Sequence, residues 1–194
     1  DDAFADAGAA AAFIGDDDFV TPHVMSFVDL LDRSGLSCLI FEPARYWWNT
    51  VTFARPTRYH KPSAFWLPRA IGGDARTLKS GERLEALLLH GGLTYIDMPR
   101  FYHGIVRRDA LEAIRSRTGT YLPGSSPDMA FSVALALVID EYVHVDYPVT
   151  VFGASRNSGG GFTAQRRHHG RIEEQKHLPK DILSHLTDTG RREL

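Results

Sequence analysis

Three consecutive aspartates, set between a buried-strand pattern and a helix start, constrain this chain more than any other feature. Positions 13–22 read FIGDDDFVTP. Residues 10–14 form a short apolar segment, and Gly15 closes it before Asp16, Asp17 and Asp18. Thr21 and Pro22 suit the N-cap and first position of a helix. Val24, Phe27, Val28, Leu30 and Leu31 then recur at helical spacing up to Ser34 and Gly35. Residues 36–41 read as a strand, and residues 46–53 as a second one rich in aromatic and β-branched side chains. Strand, acidic turn, helix and strand is the alternation of an α/β sheet. Such a fold sets the aspartates at the carboxyl end of a strand, where open α/β sheets bind ligands.

Carboxylates crowded at a strand end repel one another, and a divalent cation removes that cost. Hard oxygen ligands suit Mn²⁺ or Mg²⁺, which take one or two carboxylates and complete their shell with substrate phosphates and water. The same run also works as an exposed acidic turn leading into the helix at Thr21. Both readings stand at this level.

Beyond the acidic turn the chain reads as one domain over residues 1–194, with residues 162–194 as a polar tail. Residues 4–12 are Ala-rich and read as a helix end, and residues 56–68 hold three prolines and read as a loop or edge ribbon. Residues 81–90 form an amphipathic helix closed by Gly91 and Gly92. Residues 101–106 read as a strand, residues 108–117 as a helix capped by Gly119, and residues 121–126 as a loop. A helix is expected from Asp128 to about Tyr142, a strand over 149–152, a Gly/Ser-rich loop over 153–161, and a weak helix over 181–186. Hydrophobic residues make up 43% of the chain, enough for a core without disulfides. The single cysteine, Cys38, has no intrachain partner. A net charge of −2 argues against general nucleic-acid binding. No apolar run approaches the roughly 20 residues of a membrane-spanning helix. Residues 1–32 carry eight aspartates and no Lys or Arg, whereas residues 156–180 are rich in Arg, Lys and His. Opposed ends of this kind suit a metal and an anionic ligand held between them; they equally suit two solvated surfaces.

Several other positions can carry chemistry. Ser126 and Pro127 fit a helix start that fixes the carboxylate of Asp128, the placement that a general base needs and that a helix cap needs too. The run GASRNSGGG at 153–161 includes Ser155 and Ser158 and follows a strand. Its backbone N–H groups can cradle a phosphate, although it matches neither the P-loop nor the dinucleotide fingerprint. Arg166 and Arg167, followed by His168 and His169, could grip a diphosphate or add a histidine to a metal. His103 and His144 read as structural. Trp47, Trp48 and Trp66 suit either a sugar-stacking surface or the core. Zinc and serine hydrolase motifs are absent from the sequence.

Taken in order, these marks resemble the family 2 glycosyltransferases, the large group with the GT-A fold. The acidic run at 13–22 is similar to their D-x-D metal motif. YHGIVR at 102–107 ahead of a helix, SPD at 126–128 opening another, and VFGAS at 151–155 with Ser158 and Gly159 behind it complete the likeness. The resemblance covers residues 13 to about 170. It implies a GT-A-like, Rossmann-related mixed sheet flanked by helices. It also implies a nucleotide-binding strand–helix half that would precede Asp1 and is not in this chain. Asp16 and Asp18 would hold Mn²⁺ or Mg²⁺ on a nucleotide-sugar donor, with His168 or His169 as a further ligand. Asp17, Ser155, Ser158, Arg166 and Arg167 would contact the donor. Asp128 would be the base that deprotonates a saccharide or lipid-linked acceptor hydroxyl, with inversion at the anomeric carbon. A bacterial cytoplasmic setting at the inner membrane face, in surface polysaccharide or glycolipid synthesis, follows from the same resemblance. Two rivals remain at this level. A metal-dependent phosphohydrolase would release phosphate without an acceptor. A non-catalytic carbohydrate-binding or scaffolding remnant would bind without metal.

Overall fold

The structure is a computed structural model that describes residues 8–69, 71–93, 95, 97–124 and 128–167. The first half runs β1 (Ala10–Ala11), β2 (Phe19–Val20), α1 (Val24–Ser34), β3 (Cys38–Phe41), β4 (Ala44–Trp47), β5 (Phe65–Trp66), β6 (Ala75–Lys79) and α2 (Ser80–Leu89). The second half runs β7 (Gly104–Arg107), α3 (Arg108–Thr118), α4 (Met129–Ala136), β8 (Glu141–Val145), β9 (Thr150–Ala154) and α5 (Gly159–Ala164). These strands form two sheets, ordered β1-β7-β3-β8-β6 and β2-β9-β4-β5. Both are mixed: β3 pairs parallel with β8 and β4 with β9, and the remaining neighbours are antiparallel.

The five-stranded sheet is built around β3, whose four residues are all buried. A continuous apolar run suits a central strand covered on both faces, and side-chain alternation divides its partners. Cys38 and Ile40 join Leu111, Ile114, Phe131 and Leu135 from α3 and α4, while Leu39 and Phe41 join Leu31 of α1. Each such buried side chain contributes about 1.5–3 kcal/mol. Successive strands β3 and β4 lie in different sheets, as do β8 and β9. Because β3 is the parallel neighbour of β8, and β4 that of β9, the chain crosses twice along one seam, at Glu42–Pro43 and at residues 146–149. The candidate site lies along this seam.

The mixed sheets with flanking helices match the α/β expectation, and the structure departs from the local expectations at six places. The helix expected to reach Tyr142 stops at Ala136, and residues 141–145 form β8 instead. Residues 129–139 are apolar nearly all round, so no change of period marks the helix end. The strand expected over 46–53 is β4, Ala44–Trp47, because the chain turns after Trp48, where the Val51 N–H donates to Trp48 O at 3.1 Å. Strand β7 begins three residues late because His103 adopts a left-handed φ of 59°. Strand β6 was unforeseen: it is a charged, largely exposed edge strand without apolar alternation. Residues 159–164 form α5 rather than loop and tail, with Ser158 as its cap. The Thr21 hydroxyl caps nothing, since α1 starts at Val24 behind His23.

Candidate functional site

The acidic turn follows β1 and folds back on itself, with Asp18 N–H donating to Gly15 O at 3.3 Å. It turns its last carboxylate inward. Asp18 has a side chain with 0% exposure. Its Oδ1 accepts the Gly153 N–H at 2.7 Å, and its Oδ2 accepts the Gly15 N–H at 2.6 Å and the Tyr102 hydroxyl at 2.8 Å. His103 Nε2 lies 3.3 Å from the same Oδ2, outside hydrogen-bond alignment. The other ring nitrogen, Nδ1, pairs with Thr150 Oγ1 at 2.9 Å. Burial alone would raise the Asp18 pKa. The His103 contact and the Gly153 and Gly15 amides together outweigh burial and hold it below the usual carboxylate value.

Asp17 is tied to the second sheet. Its Oδ2 accepts the Ser155 N–H at 2.7 Å, and its carbonyl accepts the Trp48 indole N–H at 3.0 Å. Strand β9 passes so close that a Cβ on Gly153 would lie 1.7 Å from Asp17 O, and this position admits only glycine. Asp16 is exposed. The three aspartates therefore differ in setting: one outward, one half-engaged and one fully enclosed.

Tyr102 joins the acidic turn to Asp128. Burial raises its phenol pKa most. The hydrogen bond and charge of Asp18 add to this, followed by the charges of Asp17 and Asp128, so the phenol remains a protonated donor. Tyr102 and His103 also line a cleft of about 530 Å³, together with Asp128, Ser132, Arg45 and Arg100. Asp128 opens α4 as its cap, with Oδ1 accepting the Met129 N–H at 2.8 Å. The Ser132 hydroxyl returns a hydrogen bond to Asp128 O at 2.6 Å. This pairing fixes a half-buried carboxylate on a rigid helix start facing the cleft. Arg100 is half-buried and donates to Phe41 O; burial lowers its pKa. Gly159, Gly160 and Thr163 of α5 form part of the lining.

Ser155 reaches the acidic turn through its amide. Ser158 spends its hydroxyl on the Gly-rich turn itself, accepting from Gly161 N–H at 3.2 Å and donating to Ser155 O at 3.1 Å. Arg166 and Arg167 follow α5, are exposed, and are not among the cleft-lining residues. His168 and His169 lie outside the described residues. His144, read as structural, is buried against Arg76 at 2.7 Å; burial and the Arg76 charge lower its pKa. Sequence reading did not single out Tyr102 as a site residue and set His103 aside as structural. Their signal lies only in their distance in space from Asp18, 84 positions away from Tyr102 in sequence.

No group of three His, Cys, Asp or Glu side chains is arranged for a metal among the described residues. A cation of the Mg²⁺ or Mn²⁺ type needs fewer protein ligands when substrate phosphates complete its shell. Asp17 Oδ1 and Asp18 Oδ2 lie 3.4 and 3.0 Å from the point a Gly15 Cβ would occupy, so they approach each other across that glycine. With both Asp18 oxygens committed to protein donors, the carboxylate of the exposed Asp16 and Asp17 Oδ1 are the oxygens of the turn that accept no hydrogen bond among the described residues. No family model matches the chain, and no curated protein matches it.

Proposed function

We propose that the chain is the metal-motif and acceptor-side portion of an inverting glycosyltransferase with a GT-A-like fold, acting on a nucleoside-diphosphate sugar and an acceptor hydroxyl. One observation carries this reading. Asp128, 110 positions beyond Asp18 in sequence, lines one cleft with Tyr102 and His103, the two side chains that hold the acidic turn. Tyr102, His103, Asp128, Phe152 and Gly159, drawn from three of the four sequence features behind the resemblance, line that cleft, and the acidic turn meets it through the hydrogen bond from Tyr102 to Asp18.

In this reading Asp128 accepts the proton of the acceptor hydroxyl as its oxygen bonds to the anomeric carbon. The bond from that carbon to the diphosphate oxygen breaks, and its electron pair leaves with the nucleoside diphosphate. Arg45 and Arg100 put positive charge in the cleft where the leaving group's negative charge grows. A divalent cation at Asp16 and Asp17 would supply further charge stabilisation to the diphosphate. Asp18 serves as a positioning residue, fixing the turn through Gly15, Gly153 and Tyr102. The Tyr102 phenol stays a donor to that carboxylate.

Turnover of nucleotide sugars with saccharide acceptors, followed by product anomeric configuration, tests the assignment. Asp128→Asn is expected to lower the transfer rate at least about a hundredfold while leaving nucleotide binding intact. Phosphate release from simple esters without an acceptor, undiminished in Asp128→Asn, would instead indicate a phosphohydrolase.

A further inference from the structure

A second hollow, of about 610 Å³, adjoins the cleft and shares Glu42, Pro43, Arg45 and Trp47 with it. Its wall follows from strand register. Arg45 of β4 lies opposite Trp66 of β5 and beside Phe152 of β9, and Trp47 falls on the same face two residues on. One face of the four-stranded sheet therefore passes without a break from the cleft, at Phe152, into the hollow, at Trp66. Tyr59 stacks obliquely on Trp66 with ring centroids 5.0 Å apart, and His60 lies 6.2 Å from Trp47. Arg45 and Arg69 are exposed and form no ion pair among the described residues, and Glu42 is the single carboxylate among the residues lining the hollow.

We infer that this hollow binds an anionic sugar unit, with its ring against Trp47, Trp66 and Tyr59 and its carboxylate or phosphate against Arg69 and Arg45. Aromatic faces supply apolar area to the flat C–H faces of a ring. Guanidinium forks match carboxylate and phosphate oxygens two at a time. The hollow's volume lies in the range of small-molecule sites. An excess of cations over carboxylates on its lining favours a charged sugar over a neutral one. Its role as the seat of an acceptor's distal unit, with the reacting hydroxyl reaching Asp128, rests on the glycosyltransferase reading; the binding itself does not.

Tryptophan fluorescence and calorimetry on the intact chain provide the test. The probes are a glucuronic-acid disaccharide, its neutral glucose counterpart and glucose 6-phosphate, each in low and high salt. At least one anionic probe is expected to bind about tenfold more tightly than the neutral disaccharide, and to weaken in salt as exposed charge pairs do. Arg69→Gln should bring the anionic probe down to the neutral level, and Trp66→Ala should weaken both disaccharides. The stronger anionic probe distinguishes carboxylate from phosphate recognition. Equal binding of charged and neutral sugars, no sugar binding, or indifference to Arg69→Gln would overturn the inference. So would displacement of the bound sugar by uridine diphosphate, which would make the hollow a nucleotide site. Sugar binding without any metal-dependent nucleotide binding would leave this inference standing and remove the glycosyltransferase reading.

Discussion

The two sheets are held by different physics. In the five-stranded sheet, β3 and β7 place Leu39, Ile40, Phe41, Ile105 and Val106 at 0–1% exposure between helices on both faces. The four-stranded sheet has two strands of only two residues and leaves Phe19 and Phe65 exposed. Its attachment to the rest depends on polar groups: Gly153 on Asp18, Ser155 and Trp48 on Asp17, and Thr150 on His103. One sheet is therefore a scaffold whose apolar burial is independent of pH, and the other is latched to it by an enclosed carboxylate. The acidic turn serves structure and chemistry together, so its three aspartates will not respond alike to substitution.

The largest effect should come from the scaffold. Phe41→Ala removes a fully buried ring and is expected to cost about 4 kcal/mol in urea unfolding. A smaller loss, about 3 kcal/mol, is expected for Asp18→Asn, which removes a charge from enclosed donors and sets an amide against the N–H groups. Should Asp18→Asn prove neutral, the latch is not what joins the sheets. Acid unfolding sharpens the same point. The folded Asp18 pKa lies below its ordinary value of 3.8, so its contribution is complete above that pH and fades as pH falls through the folded value. The acid limb of the stability profile below about pH 4 should therefore be shallower in Asp18→Asn than in the parent chain.

Gly153→Ala brings a methyl group against the Asp17 carbonyl and is expected to cost about 2 kcal/mol by parting β9 from the turn. Thermal unfolding reads this directly, and an unchanged melting temperature would contradict the close approach. Asp128→Asn should change stability least, within about 0.5 kcal/mol, because asparagine also caps helices well. Its effect belongs in the transfer rate.

Much of the scaffold was legible in the sequence because its signals are local. The apolar run at 36–41, the helical spacing of Val24 to Leu31, and the glycines at positions 35 and 119 each mark an element or its end. Strand β8 was hidden because the residues before it are apolar on every side, and β6 because an edge strand needs no apolar alternation. The site was legible as separate motifs: the acidic turn, Asp128 and the Gly-rich run. Their meeting was not, since it depends on the left-handed turn at His103 and on a glycine tolerating a neighbouring strand. Nor could composition distinguish Asp18, enclosed by three donor groups, from the exposed Asp16 two positions earlier. That distinction arises from tertiary contacts alone.

The most direct measurement for the account is calorimetric titration of uridine and guanosine diphosphates with Mn²⁺, and again with EDTA, into the parent chain, Asp17→Asn and Asp128→Asn. The account predicts metal-dependent binding of a nucleoside diphosphate that Asp17→Asn abolishes and Asp128→Asn retains. Binding indifferent to EDTA and to Asp17→Asn, or no binding at all, would contradict it and leave the acidic turn as a structural latch alone.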